Sequence, residues 1–402
     1  MTVMDGDPVY VPIVKLENAH ERPIVRMFFL ATRNDYSLVT VAHDGLKVWN
    51  IIDDEEGCSF QKVIEVAKWR CGVQYADMKS SVPEIVVIGL DSILYRISEE
   101  VPGSIESLRV DPFDLGYMEV WSCAVDETAR TCLTTSYSGN ITEVDIAGLS
   151  RAEVTRKEPF PNVKQVCCMA YSNNSRLFAV ASNDGTVTLL DHDTLKVKAP
   201  MEIHAMKIRT MLFTSMDDHL LTGSDDKSIR LSQIGVDRAS TLVRQFCGHR
   251  SAITSLSIDP TSGDARFASC SMYGEICIWD INTPTPVHKL KHPHEGILNS
   301  VLFSYNGHHL FSAGEDKRLV CYRVPQGGDP IITLEQQEEP IEADESEKEN
   351  LFGRTPENGD EGETGAMNTD IYEGSNQGLS PFVLSQENHI EAMNTEEDLD
   401  DV

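Results

Sequence analysis

The sequence predicts an all-β fold, a closed seven-bladed β-propeller followed by a disordered acidic tail. Three observations carry that expectation: short apolar runs punctuated by turns, a recurrence of comparable strands every 42 to 48 residues, and a sharp change of charge near residue 335.

The apolar runs come first. The chain has 402 residues of which 41% are hydrophobic, enough for a sizeable core, yet residues 9–324 hold no long amphipathic helical pattern. Six segments end in a comparable strand: LVTVAHDGLKVWN, CLTTSYSGNITEVD, FAVASNDGTVTLLD, LLTGSDDKSIRLSQ, FASCSMYGEICIWD and LFSAGEDKRLVCYR. A seventh, IVVIGLDSILYR, fills the gap between the first two.

Their end-strand reference positions are Trp49, Arg96, Val144, Leu190, Ser232, Trp279 and Tyr322, at intervals of 47, 48, 46, 42, 47 and 43 residues. A period of this length, with four short strands per unit, is the signature of a WD-type propeller. Closure of the ring removes exposed sheet edges between blades. Either VYVPIVK, from Val9 to Lys15, or PIITLE, from Pro330 to Glu335, is expected to complete the last blade as its outer strand.

Polar residues recur in register with the strands. His20, His204, His249 and His294 lie 28 to 30 residues before their reference positions. In a complete repeat a histidine, a Ser or Thr, a turn Asp and an end-strand Trp form a buried hydrogen-bond network, because each group left unpaired would be costly. The expected members are His204, Ser224 and Asp226 in one unit and His249, Ser271 and Trp279 in the next, where Tyr273 replaces the acid. His294 and Asp316 serve the last unit, with Gly314 at the small polar position.

Other chemistry is poorly supported. A Ser-His-Asp triad needs an exposed nucleophile and an oxyanion hole, and His204, Ser224 and Asp226 follow the structural repeat without a Gly-x-Ser-x-Gly elbow. The pairs His292/His294 and His308/His309 lack companion metal ligands, and GSDD lacks the lysine of a phosphate loop. Ten scattered cysteines without a Cys-x-x-Cys spacing suit buried thiols in a reducing compartment. No catalytic residue, metal or cofactor is expected. The start MTVMDGDPVYVPIV has neither the basic residues nor the apolar run of a secretory signal, which predicts a soluble intracellular protein.

Charge separates the tail. Residues 335–402 carry 21 Asp and Glu against Lys348 and Arg354, while the preceding 334 residues carry 43 acids and 32 bases. Ordering such a segment costs more conformational entropy than its few apolar groups return, so 325–402 is expected to be disordered, after a short segment 1–8 and a propeller over 9–324. NLFG and LSPFVLS are small apolar islands within it. The basic residues Lys196, Lys198, Lys207 and Arg209 form only a local patch, a weak signal for direct nucleic-acid binding.

Loops carried on a rigid ring predict protein binding, since little of the domain must order on contact. Five residues after the clear histidines stand Val25, Arg209, Thr254 and Asn299, and Trp121 and Cys167 hold the matching places elsewhere. A second ring comes from the strand turns: His43, Leu90, Tyr137, Asn183, Asp225, Met272 and Glu315. The expected binding face bears Trp121, Tyr137, Arg209, Asp225, Met272, Asn299 and Glu315, because aromatic, Arg and Met side chains combine contact area with polar selectivity.

AHERPIV, EVWSCAV, HAMKIRTMLF, LLTGSDDKSIRL and HEGILNSVLFSYNG resemble corresponding parts of the superkiller WD-repeat subunit family, with blade order similar from about residue 9 to 324. The resemblance implies a non-enzymatic scaffold that binds a tetratricopeptide-repeat subunit and helps assemble an RNA helicase complex delivering messenger RNA to the cytoplasmic exosome. It implies also, in animals, a nuclear role in the polymerase-associated-factor complex, which supports transcription elongation. Trp121 and Arg209 match the family's top surface, whereas Val25 and Asn299 depart from its bulky aromatic residues, and the acidic extension has no counterpart in the short family form. Another WD-repeat adaptor, recruiting chromatin-modifying or ubiquitination machinery, and a direct nucleic-acid binder are the alternatives.

Overall fold

A computed structural model describes residues 10–325, apart from 32–35, 55–56, 67–68, 70–72, 80–83, 92, 100–107, 115–119, 126–130, 137–139, 146–152, 160–164, 173–175, 195, 236–239 and 291–293. The expectations for 1–8, for the tail and for PIITLE thus lie outside the described residues, apart from Pro325.

Twenty-eight strands are described, and they form seven four-stranded antiparallel sheets. After β1 (Val11–Leu16), blade 1 holds β2 (Ile24–Ala31), β3 (Tyr36–Ala42), β4 (Gly45–Asp54) and β5 (Gly57–Val66). Blade 2 holds β6 (Val73–Lys79), β7 (Glu84–Gly89), β8 (Ile93–Glu99) and β9 (Leu108–Asp114). Blade 3 holds β10 (Val120–Val125), β11 (Thr131–Ser136), β12 (Asn140–Asp145) and β13 (Glu153–Pro159). Blade 4 holds β14 (Val166–Ser172), β15 (Leu177–Ser182), β16 (Thr186–Asp191) and β17 (Val197–Glu202). Blade 5 holds β18 (Ile208–Phe213), β19 (His219–Ser224), β20 (Ser228–Ile234) and β21 (Ser240–Cys247). Blade 6 holds β22 (Ile253–Ile258), β23 (Arg266–Ser271), β24 (Ile276–Asp280) and β25 (His288–Leu290). Blade 7 holds β26 (Leu298–Phe303), β27 (His309–Gly314) and β28 (Leu319–Arg323), and its outer strand is β1.

The first strands β2, β6, β10, β14, β18, β22 and β26 neighbour one another in succession, and β26 returns to β2, so the ring is closed. Of the two expected closing strands, the N-terminal one is observed: β1 pairs with β28, from Val11 opposite Arg323 to Leu16 opposite Leu319.

The period read from the sequence is a register. Trp49, Arg96, Val144, Leu190, Ser232, Trp279 and Tyr322 all lie on the third strand of their blades, opposite Leu38, Val86, Cys132, Phe178, Leu220, Phe267 and Leu310. Apolar side chains between blades fill the core: Ala268, Ile276 and Ile278 of blade 6 pack with Leu298, Val301 and Leu310 of blade 7. Burying such side chains contributes about 1.5–3 kcal/mol each.

The outer edges are spoiled for further pairing. In β5, β13, β17, β21 and β1 one extra residue bulges opposite the reference positions Trp49, Val144, Leu190, Ser232 and Tyr322. β9 pairs without a bulge but carries Pro112, which has no N–H to offer a new strand. β25 is only three residues long. Bulges, prolines and short strands are the usual protections of a sheet edge.

Candidate functional site

The mouth of the ring is built by a defect repeated in all seven blades. Each first strand has a bulge against the second, because its register shifts by one residue. The extra residues are Val25, Gln74, Trp121, Cys167, Arg209, Thr254 and Asn299. Six of these are the residues expected near the strand entrances, and Gln74 completes the set. A bulge re-aims the strand locally, so every blade contributes one residue released from regular alternation at the same height.

The turn residues sit beside them. The amides of His43, Asn183, Asp225, Met272 and Glu315 donate to the carbonyls of Pro23, Gln165, Lys207, Ala252 and Ile297, each two residues before a bulge. In these five blades bulge and turn are thereby tied into one rim. In blade 5 the guanidinium of Arg209 forms a two-point ion pair with Asp225, its Nη2 donating to Oδ2 at 3.0 Å and its Nε donating to Oδ1.

The expected face residues are not equivalent. Arg209 and Asp225 are partly exposed and neutralise each other, Met272 is half-buried, and Glu315 is exposed. Asn299 is half-buried, and its amide donates to the Ile24 carbonyl of the next blade at 2.8 Å. Thr254 likewise donates to the Leu298 carbonyl. Partial desolvation against the rim raises the Glu315 carboxyl from its ordinary value. Tyr137 lies outside the described residues, and of Trp121 only the backbone, within β10, is described.

Below the rim run the histidine networks, and here three expected positions are corrected. His204 Nδ1 meets Asp226 Oδ2 at 2.8 Å as expected, but Nε2 meets the Thr222 hydroxyl at 2.8 Å rather than Ser224. Ser224 instead donates to the Met206 carbonyl and accepts from the Asp226 amide, both at 3.1 Å. The two hydroxyls share a strand face, but the imidazole extends along the strand from the turn, so its far nitrogen passes Ser224 and reaches Thr222.

The same offset recurs. His249 Nε2 lies 2.6 Å from Ser269 Oγ, which also accepts from Trp279 Nε1 at 2.7 Å, while Ser271 accepts only from the Tyr273 amide at 3.4 Å. The acid expected to be missing there is supplied from two residues further on: Glu275 Oε2 stands 3.7 Å from His249 Nδ1, an ion-pair distance rather than a hydrogen bond. In blade 7, His294 Nδ1 meets Asp316 at 2.9 Å and Nε2 meets Ser312 at 2.7 Å, so the polar position is Ser312 and not Gly314.

The complete set belongs to blade 1. His20 Nδ1 meets Asp44 at 3.0 Å, Nε2 meets Thr40 Oγ1 at 2.7 Å, and Trp49 Nε1 donates to the same hydroxyl at 2.8 Å. With the carboxylate fixing the Nδ1–H tautomer, the imidazole accepts from the hydroxyl and the hydroxyl oxygen accepts from the indole. Burial works to raise the Asp44 pKa, but hydrogen bonds from His20 and the Glu21 amide outweigh it and hold the carboxyl at about 2. Burial pushes the His249 imidazole down to about 4 against the opposing charge of Glu275.

Thr222, His204 and Asp226 have the connectivity of a hydrolase triad. Thr222 is fully buried and within 3.3 Å of the Arg230 carbonyl, so no substrate can approach its oxygen. Burial also raises the thiols of Cys167 to about 11 and of Cys270 and Cys277 to about 12, far from nucleophilic range. Among the described residues, no group of three or more His, Cys, Asp or Glu side chains is placed to hold a metal, and no helix is long and apolar enough to cross a membrane.

The comparisons agree with this geometry. The family model WD domain, G-beta repeat matches residues 160–191, 196–231, 240–280 and 284–323. The chain is 28% identical over 121 residues to the transcriptional corepressor LEUNIG_HOMOLOG of Arabidopsis thaliana, covering 30% of this chain and 15% of that protein. It is 26% identical over 159 residues to nuclear distribution protein nudF of Emericella nidulans, covering 40% and 36%. With polyadenylation factor subunit 2 of Candida albicans it shares 25% identity over 112 residues, covering 28% and 20%. The chain thus spans well under two thirds of each relative, and their functions are diverse. The chain is a seven-bladed β-propeller, of which the segments within residues 160–323 match the WD40 repeat.

Proposed function

We propose that this propeller is a non-enzymatic protein-interaction scaffold of the superkiller type, holding a tetratricopeptide-repeat subunit and through it an RNA helicase that feeds the exosome for 3'-to-5' mRNA decay. The observation that carries a binding role is the rim: a bulge in every blade, with the turn bonded beside it in five of them, sets one residue per blade on a pre-ordered ring. Pre-order lowers the entropy cost of association, so a short partner segment can bind without reorganising the domain. The choice among scaffolds rests on HAMKIR with the following GSDD turn, and on Trp121 and Arg209 at their matching places. A second role in the polymerase-associated-factor complex, and residence in both cytoplasm and nucleus, belong to the same reading.

Native affinity purification of the full chain with mass spectrometry tests it. Recovery of a tetratricopeptide-repeat protein and an RNA helicase, lost on Trp121→Ala with Arg209→Ala while folding is intact, is the expected result. Recovery of a cullin or methyltransferase complex would replace it with another adaptor function. Specific RNA binding by the isolated propeller would favour direct nucleic-acid recognition.

A further inference from the structure

Four of the chain's 18 prolines follow a serine or threonine. Two of these pairs, Thr355-Pro356 and Ser380-Pro381, belong to the acidic tail, and the other two stand in tandem as Thr283-Pro284-Thr285-Pro286. The tandem lies in the loop from β24 to β25 of blade 6, where Thr283, Pro284 and Thr285 are exposed. Two prolines without N–H groups keep this loop out of any strand ladder.

The loop is nonetheless held in place, by the outer strand of blade 5. Arg244 of β21 donates to the Asn282 carbonyl, and the Cys247 amide donates to the Pro284 carbonyl at 3.0 Å. Pro286 rests on Gly248, where a Cβ would stand 2.8 Å from its Cδ. Lys289 Nζ donates to the carbonyl of that same glycine at 2.5 Å. Thr285 is thus an exposed residue between two anchored prolines.

The two threonines are not equivalent. The Thr283 amide donates to the Asp280 carbonyl at 3.0 Å, and its hydroxyl lies within reach of that carbonyl at 3.3 Å and of the Thr285 carbonyl at 3.2 Å. The Asp280 carboxylate accepts from the Asn282 amide at 2.7 Å, so a second anion in this turn would be repelled. The Thr285 hydroxyl makes no bond among the described contacts, and two cations hold its surroundings, Arg244 on the Asn282 carbonyl and Lys289 on Gly248.

We propose that Thr285 is a phosphorylation site for a proline-directed protein kinase. Thr285 Oγ1 attacks the γ-phosphorus of ATP, its proton passes to the catalytic carboxylate of the kinase, and ADP leaves. The product carries a charge of about −1.5 to −2 and three acceptor oxygens. Lys289 pairs with the new phosphate, which sets a charge-assisted bond where the outer strand of blade 6 meets blade 5.

The test incubates the full chain, carrying Thr355→Ala and Ser380→Ala, with a mitogen-activated protein kinase and ATP, and locates phosphate by mass spectrometry. A peptide of residues 281–289 is treated in parallel. The expected result is one phosphate per chain on Thr285, acceptance of the peptide, and loss of the phosphate in Thr285→Ala and in Pro286→Ala. Unchanged urea midpoints verify that these variants and Lys289→Met are folded. In the phosphorylated chain, phosphorus NMR follows the second ionisation of the phosphate, about 6 when unperturbed. It is expected below that of the phosphorylated peptide and to return to it in Lys289→Met. No phosphate on the folded chain, whether or not the peptide is accepted, phosphate on Thr283, or retained phosphate in Pro286→Ala overturns the site. Equal ionisation with and without Lys289 overturns the pairing. No rim residue enters the reaction, so the result stands apart from the role of the rim.

Discussion

The side-chain amide of Asn299 donates to the backbone carbonyl of Ile24 at 2.8 Å, bonding blade 7 to blade 1 at the centre of the ring. One residue on, Ser300 Oγ accepts from the Met27 amide at 3.2 Å. The ring is thus sealed twice, by β1 on β28 at its edge and by these bonds at its hub. Asn299→Ala is expected to lower unfolding free energy by about 1–2 kcal/mol, since it strands a carbonyl on a buried residue. Arg209→Ala, half exposed and paired only with Asp225, is expected to cost about 1 kcal/mol or less. Urea denaturation beside partner recovery separates the roles: loss of recovery in folded Asn299→Ala would make Asn299 a contact residue rather than a seam.

The hydroxyl partner of His204 is open to a direct test. A double-mutant cycle of His204→Ala with Thr222→Val is expected to give a coupling energy above about 0.5 kcal/mol, and the cycle with Ser224→Ala a value near zero. The reverse order would return the network to Ser224.

Stability should fall with acid in two windows. The His249 pKa is about 4 in the fold against an ordinary 6.5, so the unfolded chain binds the proton first. Its contribution is complete above about 6.5 and is lost as pH falls to about 4, amounting to roughly 3 kcal/mol. Asp44 has a depressed pKa of about 2, so its contribution holds above about 3.8 and disappears as pH falls toward 2. Denaturation midpoints at pH 7, 5.5, 4.5 and 3 resolve both, with His249→Gln flattening the upper window and Asp44→Asn the lower.

Tyr10→Phe is expected to raise unfolding free energy by about 1 kcal/mol or more, because it deletes a buried donor without opening a cavity. Destabilisation by a similar amount in the isolated chain would mean that the hydroxyl already has a partner.

Much of this architecture is legible in the sequence because strand spacing is set by geometry. The interval between Trp49 and Arg96 or between Ser232 and Trp279 reports four strands and their turns whatever side chains occupy them. The rim was legible for the same reason, since a count of five from each clear histidine lands on the bulge. The partners inside the networks were not. Thr222 and Ser224 have the same chemistry on the same strand face, and only the direction of the imidazole chooses between them. Glu275 reaches back from beyond the turn with one extra methylene, which a motif written for Asp at a fixed position cannot register. Blade 1 hides the opposite lesson: His20 and Trp49 are plain in the sequence, yet Thr40 and Asp44, 20 and 24 residues after the histidine, complete the fullest network of the four.

The partnership of β1 with β28 sets a timetable for biosynthesis. Its two strands are separated by about 300 residues, and at 5–20 residues per second a ribosome needs on the order of 15–60 s to travel between them. Six blades can be assembled from neighbouring segments during that interval, while VPIVKL waits for the last strand to emerge. The nascent chain is therefore an open crescent with an unclaimed strand at its leading end, and translation pauses late in the message would prolong its exposure to other chains.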